Sequence, residues 1–298
     1  MLDPRLVSLL RRLRIAPEKL RQARVSGPGA HLSKGLGQSL DFSEYRPYQA
    51  GDDLRALDWK VYGRTDRLYT KLYVPEQEET VWFLLDRSAS MREKWPFLQQ
   101  VVLGLATVAL GQGDRVALRF LAREGQPEQE GLAPLRGRSG LARVANFLQQ
   151  AAPIGVTDLD SALSETARRF KTRGHLVVVS DFLKEGAGLS GLSQLRYRRH
   201  RLTLLQLLTP EEIDPETALT PGEWELTDPE PDPPSDSDTV RLDLGRRSFL
   251  EYQNSLKEHN AGLSDFARVA GAVYSLSPTD TDLNVFFSET LRREGLLI

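Results

Sequence analysis

The chain has 298 residues, 40% hydrophobic and 27% charged, with a formal net charge of -2. A chain of this length can bury a substantial core, and its charge balance excludes a protein built mainly to coat nucleic acid. There are no cysteines, so disulfides and cysteine nucleophiles are excluded and any metal site has to use oxygen or imidazole.

No stretch approaches the roughly 18 uninterrupted apolar residues of a membrane span, and the first apolar run is broken by charges, unlike a cleavable signal. The expected location is the cytoplasm, with no integral membrane segment. Leu6, Leu9, Leu10, Leu13 and Ile15 recur at near-helical spacing among arginines, which predicts a short amphipathic helix packed on its own domain. A stretch rich in Gly, Ser and aromatics follows, with alternating pieces such as 68–74 that read as strands. Residues 1–79 are therefore expected to form a helix plus a small β-rich unit, and 80–298 a larger domain.

From Val81 the pattern becomes strands alternating with helices, the signature of a parallel sheet covered on both faces. Val81-Trp82-Phe83-Leu84-Leu85 is a continuous apolar run that ends at Asp86. A helix with Phe97, Val101, Leu105 and Val108 at core spacing comes next, then a strand over 115–121, a helix over 141–150 and another carrying Leu159, Leu163, Ala167 and Phe170. The run 175–180 reads as a second buried strand, ending at Asp181, and 202–208 as a third. After an insertion, a long helix over 249–269, a strand over 272–276 and a closing helix over 283–293 complete a Rossmann-like, doubly wound α/β domain. Residues 209–240 hold eleven Asp or Glu, seven prolines and no Lys or Arg, which predicts an exposed loop with few buried contacts and a hairpin around Trp224.

In an open α/β sheet, ligands bind at the carboxyl ends of the strands, where the strand order reverses. Asp86, Ser88 and Ser90 follow the first buried strand, Asp181 follows the second, and Thr157 opens a helix between them. Hydroxyl and carboxylate oxygens at one sheet edge suit a hard cation such as Mg2+ or Mn2+. Taken singly, Ser88 and Ser90 could cap the next helix, Thr157 or Asp158 could cap another, and Asp181 could accept backbone hydrogens. Asp86 is expected at the solvent edge of its strand, with the charge of Arg87 close to the metal unless that side chain turns outward.

The spacing Asp86-x-Ser88-x-Ser90, then Thr157, then Asp181 resembles the metal-ion-dependent adhesion site (MIDAS) of the von Willebrand factor A (vWA) family. That resemblance implies a metal held by the two serines and the threonine, with Asp86 and Asp181 acting largely through water, and a partner's acidic side chain as a further ligand. Upstream, the segment 43–59, with Tyr48-Gln49-Ala50-Gly51-Asp52-Asp53 and Asp58-Trp59 at its centre, is similar to the hallmark of the bacterial family named domain of unknown function 58. Members typically sit beside MoxR-type AAA+ ATPases, so such an ATPase or its client is the implied partner. The physical expectation for the block is structural, with a tight turn at 51–53, an Arg55 pairing to Asp53 or Asp58, and Trp59 anchored in apolar surface.

Other chemistries fit less well. There is no Gly-x-x-x-x-Gly-Lys-Ser/Thr loop, the glycines around 35–37 lack the context of a dinucleotide fingerprint, and the four histidines never stand at zinc spacing. The alternative from a different class is a Mg-dependent phosphoryl-transfer enzyme with Asp86 as nucleophile, although position 88 is Ser where a second Asp would serve as acid. The expectation is a binding module, not an enzyme.

Overall fold

The computed structural model describes residues 2–17, 41–49, 57–74, 79–121, 131–184, 186–217, 219, 222–227 and 239–298. The chain divides into two units, Met1–Gly27 with Glu79–Ile298, and Pro28–Glu78. The first helix, expected together with the β-rich piece, falls in the larger unit. Helix α1 (Pro4–Leu10), capped by the Asp3 carboxylate, buries Leu6 and Leu10 in the core of the larger unit. Ile15 then bridges to Leu297 at the far end of the chain. The apolar stripe finds more surface there than a two-stranded ribbon offers.

In the smaller unit, β1 (Asp41–Pro47) pairs antiparallel with β2 (Tyr69–Val74), and α2 (Trp59–Thr65) lies between them in sequence. The Asp58 carboxylate accepts hydrogen bonds from the Lys60 and Val61 N–H groups at 2.9 and 3.2 Å, so this residue is a helix cap. Trp59 is 62% exposed and meets Tyr62 edge-on, which corrects the expectation that it is anchored in apolar surface. The turn expected at 51–53 and the pairing of Arg55 lie outside the described residues.

The larger unit is a mixed α/β domain around a six-stranded sheet. Its strands are β3 (Thr80–Asp86), β4 (Arg115–Leu121), β5 (Leu132–Leu135), β6 (His175–Ser180), β7 (Arg201–Leu208) and β10 (Val273–Pro278), in the spatial order β10-β7-β6-β3-β4-β5. All neighbours are parallel except β4 and β5. β3 and β6 are central and buried on both faces, which is why they read as unbroken apolar runs. One face is covered by α1, α3 (Trp95–Gly111), α4 (Gly137–Gln150) and the closing helical segment; the other by α5 (Leu159–Arg169), α6 (Leu189–Tyr197) and α8 (Arg246–Ala270). From β3 the chain runs outward to β4 on one side, and later returns to β6 on the other. The strand order therefore reverses between β3 and β6, and a crevice for ligands forms at their carboxyl ends.

Four elements differ from expectation. The edge strand β5 and helix α6 are too short or too polar to stand out by periodicity. Residues 283–293 contain a π-helical turn, Phe286–Thr290, which puts the adjacent Phe286 and Phe287 both in the core. The acidic insertion is not merely an exposed loop: it starts with the short helix α7 (Pro210–Ile213), closed by a reciprocal capping box between Thr209 and Glu212. It also contains the expected hairpin, β8 (Gly222–Thr227) with β9 (Thr239–Leu244), and 228–238 lie outside the described residues.

Gly104 in α3 marks the closest packing in this core. An added Cβ there would stand 2.3 Å from Cζ of the fully buried Phe287. In an exposed helix interior, Gly→Ala stabilises by about 1 kcal/mol, whereas overpacking costs about 1–3 kcal/mol. Gly104→Ala should therefore lower the urea midpoint; a raised midpoint would show that Phe287 yields freely.

Candidate functional site

The carboxyl ends of β3 and β6 place Asp86 and Asp181 side by side. Burial, and next the charge of Asp181, push the Asp86 carboxyl above its ordinary value, against hydrogen bonds from Ser180 and Ser88. The Ser88 N–H donates to Asp86 Oδ1 at 3.0 Å, and the Ser180 hydroxyl donates to Oδ2 at 2.6 Å. Asp86 is only 4% exposed, so it does not stand at a solvent edge as the sequence implied.

Side-chain capping does not explain Ser88. Ser88 sits at the N-cap of the turn Ala89–Met91 but makes no side-chain cap; its hydroxyl is 3.0 Å from that of Ser90. The loop that carries Thr157 is tied to the same turn, because the Ile154 N–H donates to the Arg87 carbonyl at 2.8 Å and the Ala89 N–H to the Gly155 carbonyl at 2.9 Å. Gly155, at φ +74, makes that close crossing in a conformation few other residues tolerate. The cap of α5 is Asp158, which binds Ser161, and this leaves the buried Thr157 hydroxyl for another use. Asp181 only partly follows the backbone-acceptor expectation, through Oδ1 and the Leu183 N–H at 3.3 Å.

Lys94, at the start of α3, was invisible to the motif reading. Its ammonium is 1% exposed and pairs with Asp181 Oδ2 at 2.7 Å and Glu212 Oε1 at 2.6 Å. Burial alone would push it down, but the two carboxylates outweigh burial and hold it above its ordinary value. The cation facing the acidic pair is thus Lys94, not Arg87, whose guanidinium lies over the Phe120 ring at 4.9 Å. Glu212 comes from α7, so the acidic insertion supplies part of the site. Its position is pinned by Tyr252 of α8, whose hydroxyl donates to the Glu212 carbonyl at 2.7 Å, and by Gln253, which binds Asp214 at 3.0 Å. Gln206 adds a buried donor to the Asp181 carbonyl at 2.9 Å and accepts from the Tyr274 hydroxyl. A glutamine inside the apolar run 202–208 was a legible signal; Lys94 and Glu212 had none, because long charged side chains in polar segments usually face solvent.

Lys94 pairs with two carboxylates, Asp181 and Glu212, while Asp86 stands beside Asp181 with hydrogen bonds but no ion pair among the described residues. A buried carboxyl with no basic partner makes the crevice favourable for a further cation. Among the described residues no group of three or more His, Asp or Glu is arranged to hold a metal ion, so coordination would have to draw on the hydroxyls. The donor set is hard oxygen throughout and fits Mg2+ or Mn2+ chemically.

A mostly parallel sheet, helices on both faces and a polar crevice at the strand switch define an α/β protein compatible with a Rossmann-like fold. The chain belongs to the family described as Protein of unknown function DUF58, which matches residues 44–261 and so spans every residue of this site. The uncharacterized proteins Rv1480 of Mycobacterium tuberculosis and Mb1516 of Mycobacterium bovis are each 28% identical over 228 residues, covering 71% of this chain and 68% of theirs. The uncharacterized protein YeaD of Bacillus subtilis is 32% identical over 88 residues, 29% of this chain and 22% of its own. No described helix is long and apolar enough to cross a membrane.

Removing Lys94 would leave Asp181 and Glu212 without their shared partner. Breaking a buried pair from one side typically costs about 3–5 kcal/mol. Lys94→Met should lower the denaturant midpoint strongly. Glu212→Gln, at the more exposed end, should lower it less. Equal, small losses in both would show that the ammonium reaches solvent instead.

Proposed function

We propose that this protein is a metal-dependent protein-interaction module of the vWA type, working as an adaptor or co-chaperone with a MoxR-type AAA+ ATPase. The observation that carries the metal reading is the set of hydroxyls and carboxylates at the strand switch, where Asp86 lies outside the pairs that Lys94 makes with Asp181 and Glu212. Ser88, Ser90 and Thr157 would hold Mg2+ or Mn2+ directly. Asp86 and Asp181 already accept hydrogen bonds from the protein, which suits carboxylates that act through water.

A metal ligated mostly by neutral hydroxyls keeps residual positive charge and, when bound, supplies a position for an acidic side chain from a partner. What the chain itself does is hold the site rigid. Ser180 and Gln206 fix the two strand ends, Gly155 fixes the loop of Thr157, and Lys94 keeps Asp181 from turning toward Asp86. The ATPase as partner rests on the family resemblance alone.

The phosphoryl-transfer alternative is disfavoured by Asp86 itself. A nucleophile has to be reached by the incoming phosphorus, whereas Asp86 is buried.

Calorimetric titration of the full chain with Mg2+ and with Mn2+ tests the site. Saturable 1:1 binding is expected, and Ser88→Ala/Ser90→Ala should lose it, with a thermal melt checking that the variant still folds. An unchanged metal affinity in that variant would remove the hydroxyls from the site. For the partner, an ATPase pull-down in Mg2+ should fall in chelator and in the double serine variant; equal recovery in all conditions would move the contact to another surface.

A further inference from the structure

The opposite, amino-terminal edge of the sheet has the reverse polarity. A cavity of about 460 Å3 opens there, lined by Glu79, Arg173, Gly174, Arg196, Arg199 and Arg201, with no apolar side chain. These residues stand at the starts of β3, β6 and β7, in the last turn of α6 and in the turn that follows it. Four guanidiniums face one carboxylate, an excess of three positive charges.

One of the four is fixed in place. Arg201 pairs with Glu79 through Nη1 and donates from Nη2 to the Ala16 carbonyl at 2.8 Å, while its Nε–H is buried with no hydrogen-bond partner among the described residues. A buried charged donor left unsatisfied is costly and calls for an acceptor from outside the protein. Arg173, Arg196 and Arg199 form no ion pair among the described residues, and all three are exposed. Arg199 adopts φ +63 at the turn that ends α6, a left-handed conformation that glycine takes without cost and other residues at about 1 kcal/mol. An arginine stands where a glycine would be favoured. Gly174 completes the wall: an added Cβ would collide with the Thr80 carbonyl at 2.8 Å.

We infer that this pocket binds a small ligand carrying two or more phosphate groups. Guanidinium forks match phosphate oxygens in pairs, and their charge persists at any physiological pH. A single carboxylate would leave two of the three excess positive charges uncompensated and a single phosphate, at close to two negative charges, about one, whereas two phosphates offset them all. The volume is that of a small-molecule site, and with no apolar side chain in its lining the pocket has little to hold a hydrophobic group.

The test is calorimetry of the full chain with inorganic tripolyphosphate in low-salt, divalent-free buffer, conditions that keep the opposite edge out of the measurement. Saturable 1:1 binding is expected, weakening as salt rises. Arg196→Glu/Arg199→Glu should reduce it by more than roughly tenfold, since each lost charge-assisted contact is of about that size. Arg196→Gln/Arg199→Gln, milder and with no charge reversal, should lie between this variant and wild type. Thermal melts confirm that the variants fold. ATP competing with tripolyphosphate supports the inference. It is overturned by unsaturable binding, by equal affinity in wild type and both variants, or by a single-stranded oligonucleotide that displaces tripolyphosphate at lower concentration, which would make the pocket part of a nucleic-acid surface.

Discussion

Two carboxylates standing together at the ends of adjacent parallel strands set the terms for the rest of this protein. Parallel pairing of β3 with β6 brings the strand ends to one level, so Asp86 and Asp181 meet in a nearly water-free crevice. Like charges this close repel strongly at low dielectric, and each also loses its hydration. The fold meets this cost with an ammonium from the start of α3, a hydroxyl from β6 and the N–H of Ser88. These groups come from three separate segments. The site therefore forms only when the sheet and the start of α3 are both in place.

The same ammonium recruits the acidic insertion. Such a segment has little apolar surface to bury, and on composition alone it would stay solvated. Its first turn is nevertheless ordered, because Glu212 closes a capping box with Thr209 and also reaches Lys94. Tyr252 and Gln253 then fasten that turn to α8, and His259 of the same helix lies 2.6 Å from the Phe182 carbonyl. Phe182, next to Asp181, is held at φ +53, a strained position for a bulky residue. A continuous set of contacts thus runs from the strand ends to the long helix.

The two edges of the sheet are electrostatic opposites. At the carboxyl edge the side chains that leave the core are acids and hydroxyls; at the amino edge they are mostly arginines. Neither set lies within the hydrophobic layers, whose two clusters are apolar throughout. The core can therefore stay conventional while both ends carry polar chemistry, the arrangement by which α/β folds host different sites on one scaffold.

Much of this was legible in the chain alone. Buried parallel strands announce themselves as apolar runs, and 81–85 and 175–180 did so because both faces of each strand are covered. Once two such strands are placed, the residues just past them must lie at one edge, which is how Asp86, Ser88, Ser90 and Asp181 could be grouped before any coordinates. What only the tertiary structure decided is which charges meet. Lys94 and Glu212 lie 118 positions apart in polar stretches that look solvated, and their pairing across Asp181 depends on where α3 and α7 end in space. The placement of α1 on the larger unit has the same origin. An apolar stripe specifies that a helix will be buried, but the partner surface is chosen by whichever core has room for it.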